Sequence, residues 1–288
     1  MTEPQPLLGP TRIRQLAAAI DLRPTKSWGQ NFVVDSGTVR KIVRAAGVEQ
    51  GNHVVEIGPG LGSLTLGLLE AGATVTAVEI DPKLAALLPS TVAEHQPDAA
   101  SRLTVINQDA LTVTQLPDPQ PTALVANLPY NVSVPVLLTF LERFPSLERV
   151  LVMVQAEVAD RLAAGPGSRT YGVPSAKAAW YTEARRTHTI GPAVFWPVPR
   201  IDSALVELIR RPEPETTATR EQVFSVVDAA FAQRRKALRG ALAGIFGGSQ
   251  ASELALRTAG IDPLTRGEQL TIQQFAAVAE QLPAASDH

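Results

Sequence analysis

From about residue 53 the chain alternates short apolar runs with longer stretches of helical spacing. The runs fall at 53–57, 75–79, 103–107, 123–126 and 150–155. Runs of this length, separated by room for one helix each, predict parallel strands with crossover helices on both faces of a sheet. Positions 204–209 alternate around Glu207 and predict a later strand of the same sheet. The RPEPETT stretch from Arg211 then has the composition of a linker. Beyond it, Phe224, Val227, Phe231, Leu238 and Leu242 recur at helical spacing, as do Ile272, Phe275, Val278 and Leu282. The reading is an α/β domain over residues 1–211, with a leader and N-terminal helix over 1–23, followed by a small helical domain over 212–288.

Length and composition narrow the class. A chain of 288 residues accommodates one α/β core and a small appended domain. No apolar run approaches the roughly 18 residues needed to span a bilayer, and the first ten residues hold three prolines and no signal-peptide pattern. A cytoplasmic location with no membrane role is expected. The chain has no cysteine, and its four histidines (His53, His95, His188, His288) lack ligand spacing, so no metal is expected.

The net charge of -2 conceals a polarity. Residues 49–120 carry nine acids against Lys83 and Arg102, which suits a cationic or polyhydroxylated ligand. Residues 177–240 carry eleven Lys or Arg against seven acids, including Arg185, Arg186, Arg200, Arg210, Arg211, Arg234, Arg235, Lys236 and Arg239. That stretch is either a phosphate-contacting surface or a solvated helix face.

The sequence VVEIGPGLGSL from Val54 runs from a strand into a helix through Gly58, Gly60 and Gly62. A dinucleotide fingerprint requires glycine at the sixth position of this turn, where Ser63 stands. Glu56 would oppose a pyrophosphate but suits a ligand bearing an ammonium or sulfonium. Glu79, 21 residues after Gly58, ends the next strand, where an acid can accept hydrogen bonds from both ribose hydroxyls. Asp109 follows the third strand and either bonds an adenine amine or caps the next helix. In NLPYN from Asn127, the Asn127 carbonyl and a main-chain carbonyl of the Leu128-Pro129 turn can accept the hydrogens of an adenine amine, with Tyr130 as a stacking face. An ordinary turn after a strand is the alternative.

With these residues in place, the chain resembles the bacterial small-subunit ribosomal RNA adenine dimethyltransferases over about residues 24–282. The matching segments are KSWGQNFVVD from Lys26, EIGPGLG from Glu56, NLPYN from Asn127, VFWPVPRIDSA from Val194 and AFAQRRKAL from Ala230. The resemblance implies a Rossmann-like class I methyltransferase sheet and S-adenosylmethionine as donor. It implies that Asn31 and the Val33 backbone join Gly58, Glu79, Asp109 and Asn127 around that donor, and that Phe195 closes on the adenine opposite Tyr130. Two methyls per base, on two adjacent adenines of 16S RNA in a precursor of the small subunit, follow from it, with the helical domain on the RNA; separately, nothing in the sequence suggests an obligate dimer, and a monomer is expected. From the residues alone, Phe195 could instead be core, and the Gln30-Asn31 pair could cap a helix beginning near Asp35. The competing functions are a large-subunit (23S) adenine methyltransferase, an assembly checkpoint with incidental catalysis, and an NAD-dependent oxidoreductase, the last disfavoured by Ser63.

Overall fold

Among the described residues nine strands organise the fold: β1 (Phe32–Val33), β2 (His53–Ile57), β3 (Thr74–Glu79), β4 (Leu103–Asn107), β5 (Ala123–Asn127), β6 (Arg149–Gln155), β7 (Thr182–Ile190), β8 (Phe195–Trp196) and β9 (Ser203–Arg210). The computed structural model describes residues 7–23, 31–129 and 132–283. Seven strands form one sheet in the order β4-β3-β2-β5-β6-β9-β7. The strands from β4 through β6 run parallel and β9 returns antiparallel to β6. All five residues of β2 are buried, as a central strand covered by helices on both faces requires. The strand order reverses between β2 and β5, so a crevice opens there at the carboxyl ends.

The helix Ser63–Glu70 follows β2 directly and is buried from Ser63 to Leu69. Its mate Ser36–Ala45 is strongly amphipathic and buries Val39, Ile42 and Val43. Asp35 caps that mate, its carboxylate accepting from the Thr38 N–H at 2.6 Å. Asn31 is therefore not the cap of that helix. The acid-rich half uses Arg102 structurally, its guanidinium donating to the carbonyls of Leu69, at 3.0 Å, and Ala73.

The chain divides into two compact units, Met1–Ala159 with Arg186–Arg210, and Asp160–Arg185 with Arg211–His288. The sequence reading places 160–185 in the first domain; the structure corrects this. The reason is aromatic packing. In the second unit Tyr171 meets Phe231 edge-on at 5.7 Å, Trp180 meets Phe224 at 6.1 Å, and the Tyr171 hydroxyl donates to the Leu270 carbonyl at 2.9 Å. The helices Arg220–Ala232 and Ile272–Ala279 each begin in a reciprocal Thr/Gln capping box.

A further correction concerns the basic run. Sequence spacing carries one helix through Phe231, Leu238 and Leu242, but the helix stops at Ala232 and a new one starts at Leu238. The Leu238 and Arg239 N–H groups donate to the carbonyls of Thr265 and Pro263 instead of to a preceding turn. Arg234, Arg235 and Lys236 thus sit in a turn between helices.

Candidate active site

The glycine turn after β2 shapes the floor of the crevice. Gly58, Gly60 and Gly62 all have positive φ, and a Cβ on Gly60 would lie 2.7 Å from the Phe32 ring. A ligand and the segment Asn31–Val33 can approach this turn only because no side chain intervenes. Gly60→Ala should therefore cost about 1–2 kcal/mol of backbone strain and displace Phe32, lowering the melting temperature and raising the KM for a donor while leaving the fold intact.

Around that turn lies a cavity of about 200 Å³, predominantly apolar and lined by Glu56, Glu79 and Asp109 from the ends of β2, β3 and β4. Asn31, Val33, Gly58, Gly60, Asn127 and Pro129 line it too. Among the described residues no Lys, Arg or His lines it. Two oxygens of Glu79 are held by main chain: Gly60 N–H and Asp81 N–H each donate at 3.0 Å. Burial raises the Glu79 pKa, and those N–H donors oppose the rise. The Asp109 carboxylate accepts from Leu111 N–H at 2.9 Å, so it caps the next turn while one of its oxygens remains uncommitted by that bond.

Glu56 is 1% exposed. Burial pushes its pKa up to about 8, against the opposing Thr65 hydroxyl and with a further rise from the nearby Glu79 charge. A folded pKa raised above the ordinary 4.5 means that the folded state binds the extra proton. Stability from this group is full below about pH 4.5 and is lost as pH rises through about 8. Glu56→Gln should flatten that decline, measured as melting temperature between pH 5 and 9. An unchanged slope would show that Glu56 ionises freely.

At the reacting end, the Asn127 side-chain N–H donates to the Asn31 carbonyl at 2.9 Å. That bond fixes the amide plane and leaves Asn127 Oδ1 as the acceptor of the pair. Leu128 itself is core, 1% exposed, and its N–H donates to the Met153 carbonyl. Only its main chain is a candidate for the site. Tyr130 lies outside the described residues.

Several expected positions fall elsewhere. Gly62 is the N-cap of the helix Ser63–Glu70 and does not line the cavity; a Cβ there would meet Leu88 at 2.8 Å. Phe195, expected in a loop facing the base, lies in β8 opposite Val33 and is 2% exposed. Pleating explains the correction: successive side chains of β8 point to opposite faces, so Phe195 enters the core and Trp196 stacks on Phe32 at 6.2 Å. Among the basic residues, Arg185, Arg186, Arg200, Arg235, Lys236 and Arg239 are exposed. Arg239 pairs with Glu253, and Arg234 is committed to Glu268 at 2.9 Å and to the Arg169 carbonyl at 2.7 Å. Arg210 and Arg211 are spent on main-chain carbonyls, those of Leu147 and Leu141 for Arg210 and that of Ala179 for Arg211.

Sequence reasoning missed the apolar lining. Ile80 is half exposed yet lines the cavity one residue after Glu79, and Gln108 lines it one residue before Asp109. An exposed isoleucine next to a strand-end acid was the available signal. Phe32, between the implicated Asn31 and Val33, also lines it. Among the described residues no group of three or more His, Asp or Glu could hold a metal, and no helix is long and apolar enough to cross a membrane.

A mostly parallel sheet with this strand order, a glycine turn after β2 and acids at or just after the ends of the next two strands define a class I methyltransferase fold. Comparison with known proteins places it within that class. Residues 22–283 match the family described as ribosomal RNA adenine dimethylase. The chain is 63% identical over 286 residues to the ribosomal RNA small subunit methyltransferase A of Streptomyces griseus, covering 99% of this chain and 98% of that one. It is 64% identical over 277 residues to the protein of the same name from Thermobifida fusca, covering 96% of each. The solved 23S rRNA methyltransferase ErmE superposes with a TM-score of 0.62 at 28% identity, covering 88% of this chain and 99% of that one. A dimethyladenosine transferase from Plasmodium falciparum shares the fold with a TM-score of 0.72 at 21% identity, covering 86% and 95%. The chain belongs to the ribosomal RNA adenine dimethylase family.

Proposed function

We propose that this protein transfers methyl groups from S-adenosylmethionine to the N6 amines of two adjacent adenines in 16S ribosomal RNA of a small-subunit precursor, two to each base. The observation that carries the reading is the convergence of Glu56, Glu79, Asp109 and Asn127 on one cavity, with no cation among its described lining residues, in a chain of this family. The donor fits the residues present. Two buried carboxylates with no cationic partner among the described lining residues suit a ligand carrying positive charge, and the cradle at Gly60 has no room for a Cβ.

Each residue has a task that its surroundings allow. An ionised carboxylate offers about four lone-pair sites, so Glu79 can accept from two ribose hydroxyls beyond its two main-chain donors. The uncommitted oxygen of Asp109 can accept from an adenine amine of the donor, and exposed Ile80 gives that ring an apolar face. Glu56 receives the cationic end. When bound, S-adenosylmethionine supplies a methyl group already activated as a sulfonium. The N6 lone pair of the target adenine is delocalised into its ring. Asn127 Oδ1 and the Leu128 carbonyl accept the amine hydrogens and free that lone pair, while Tyr130 stacks on the base. Positioning of this kind needs no strong base.

RNA contact belongs to the exposed cations Arg185, Arg186, Arg200, Arg235, Lys236 and Arg239. Reversing charge at Arg235 and Lys236 should weaken binding to the immature small subunit and flatten the dependence of log K on log salt by up to about 2 units. Arg234 is excluded from that test because its reversal would set a carboxylate against Glu268. An unchanged slope would make the turn a solvated surface only.

The likeness to ErmE keeps a large-subunit target as a second reading, at 28% identity against 63% for the small-subunit relatives. Incubation with methyl-labelled donor and each immature subunit separates the two. Label in small-subunit RNA supports the proposal; label confined to large-subunit RNA refutes it.

A further inference from the structure

We propose that Thr65 is a positioning residue for methyl transfer, holding the Glu56 carboxylate in the orientation in which it meets the cationic end of the donor. The proposal rests on the donor-site reading of the cavity and adds a residue that does not itself touch the donor. Thr65 is fully buried on the helix Ser63–Glu70 and does not line the cavity, whereas Glu56 does. Its hydroxyl donates to Glu56 Oε2 at 2.6 Å, the one hydrogen-bond donor recorded for that carboxylate among the described residues.

A glutamate's terminal torsion is broad, so a carboxylate at the end of a strand is not aimed by its rotamer alone. One fixed oxygen sets the plane of both, leaving Oε1 to the cavity. The hydroxyl has a second effect, because donation favours the charged form. It opposes the burial that drives the Glu56 pKa up to about 8, and so keeps the anion accessible near neutral pH. The titratable groups around it are few. Glu79 on β3 and Asp109 after β4 share the cavity. Glu70, on the same helix as Thr65, is paired with Arg40 at 2.9 Å. His53, on β2 itself, bonds Thr76.

The test is calorimetric titration of the full-length protein with S-adenosylmethionine from pH 6 to 9, comparing wild type, Thr65→Val, Thr65→Ser and Glu79→Ala. Valine keeps the shape of threonine and removes the donor; serine keeps the donor. The ligand's own amine titrates identically in each case, so differences between variants report Glu56. Thr65→Val should bind about 10-fold more weakly at neutral pH, the loss of one hydrogen bond to a charged group, and should need a higher pH for half its maximal affinity. Thr65→Ser should stay within about 2-fold of wild type. Weakening by Thr65→Val with an unchanged pH profile would make Thr65 a packing residue and overturn the proposal, as would wild-type binding. If Glu79→Ala also binds normally, the donor-site reading itself fails; if Glu79→Ala is weak while Thr65→Val is normal, only the role of Thr65 fails.

Discussion

Replacing Asn127 with alanine should lower the rate of methyl transfer by about 10²–10³-fold, the range found when one preorganised polar group is removed from a reacting centre. Two structural facts set this expectation. Asn127 ends β5 at the cavity, at the switch point of the sheet, and its amide is locked because its N–H side is engaged by the Asn31 carbonyl. Oδ1 is therefore already aimed when the base arrives. Donor affinity should fall only a few-fold, through loosening of the Asn31 segment, since a neutral hydrogen bond is worth about 1 kcal/mol. That segment keeps other anchors, including the Ser63 hydroxyl on the Val33 carbonyl at 2.7 Å. Single-turnover rates with saturating donor, set beside calorimetric affinity, distinguish the two effects. A large loss of donor binding with normal turnover would make Asn127 a donor ligand.

Glu79→Ala should have the opposite signature. If Glu79 accepts from the two ribose hydroxyls as proposed, its removal should weaken donor binding by about 100-fold, with a smaller effect on the rate at saturation. It should also cost stability. The Gly60 and Asp81 N–H groups lose their acceptor, and a buried unsatisfied donor costs about 1–3 kcal/mol. A drop in melting temperature that saturating donor does not repair would mark the structural share. Wild-type donor affinity in a folded variant would remove Glu79 from the site.

The sheet was legible because its central strands are short, apolar and regularly spaced; β2, β3, β4, β5, β6 and β9 fall where the runs place them, within one or two residues. β7 was not, because TEARRTHTI is an edge strand with polar residues on both faces. The two-residue pair β1 and β8 is too short for any periodicity to register, and its register decides where Phe195 points. The boundary at 210/211 coincides with the RPEPETT linker, whereas the 160–185 segment carries no shift in composition; contacts distant in sequence, among them those of Tyr171 and Trp180, assign it. The acids of the cavity were legible from strand-end placement. Charge counting could not separate Arg235 and Lys236 from Arg210, Arg211 and Arg234, because the pull of carbonyls and of Glu268 arises from residues distant in sequence.

Adenine dimethylation in small-subunit RNA, as proposed, predicts a specific nucleoside product in cells. Small-subunit RNA from cells lacking the gene is digested to nucleosides and examined by mass spectrometry after complementation with wild type or with Asn127→Ala. Wild type should restore N6,N6-dimethyladenosine at two adjacent positions and the variant should not. Equal dimethyladenosine with and without the wild-type gene, or methylation restored only in large-subunit RNA, would contradict the account.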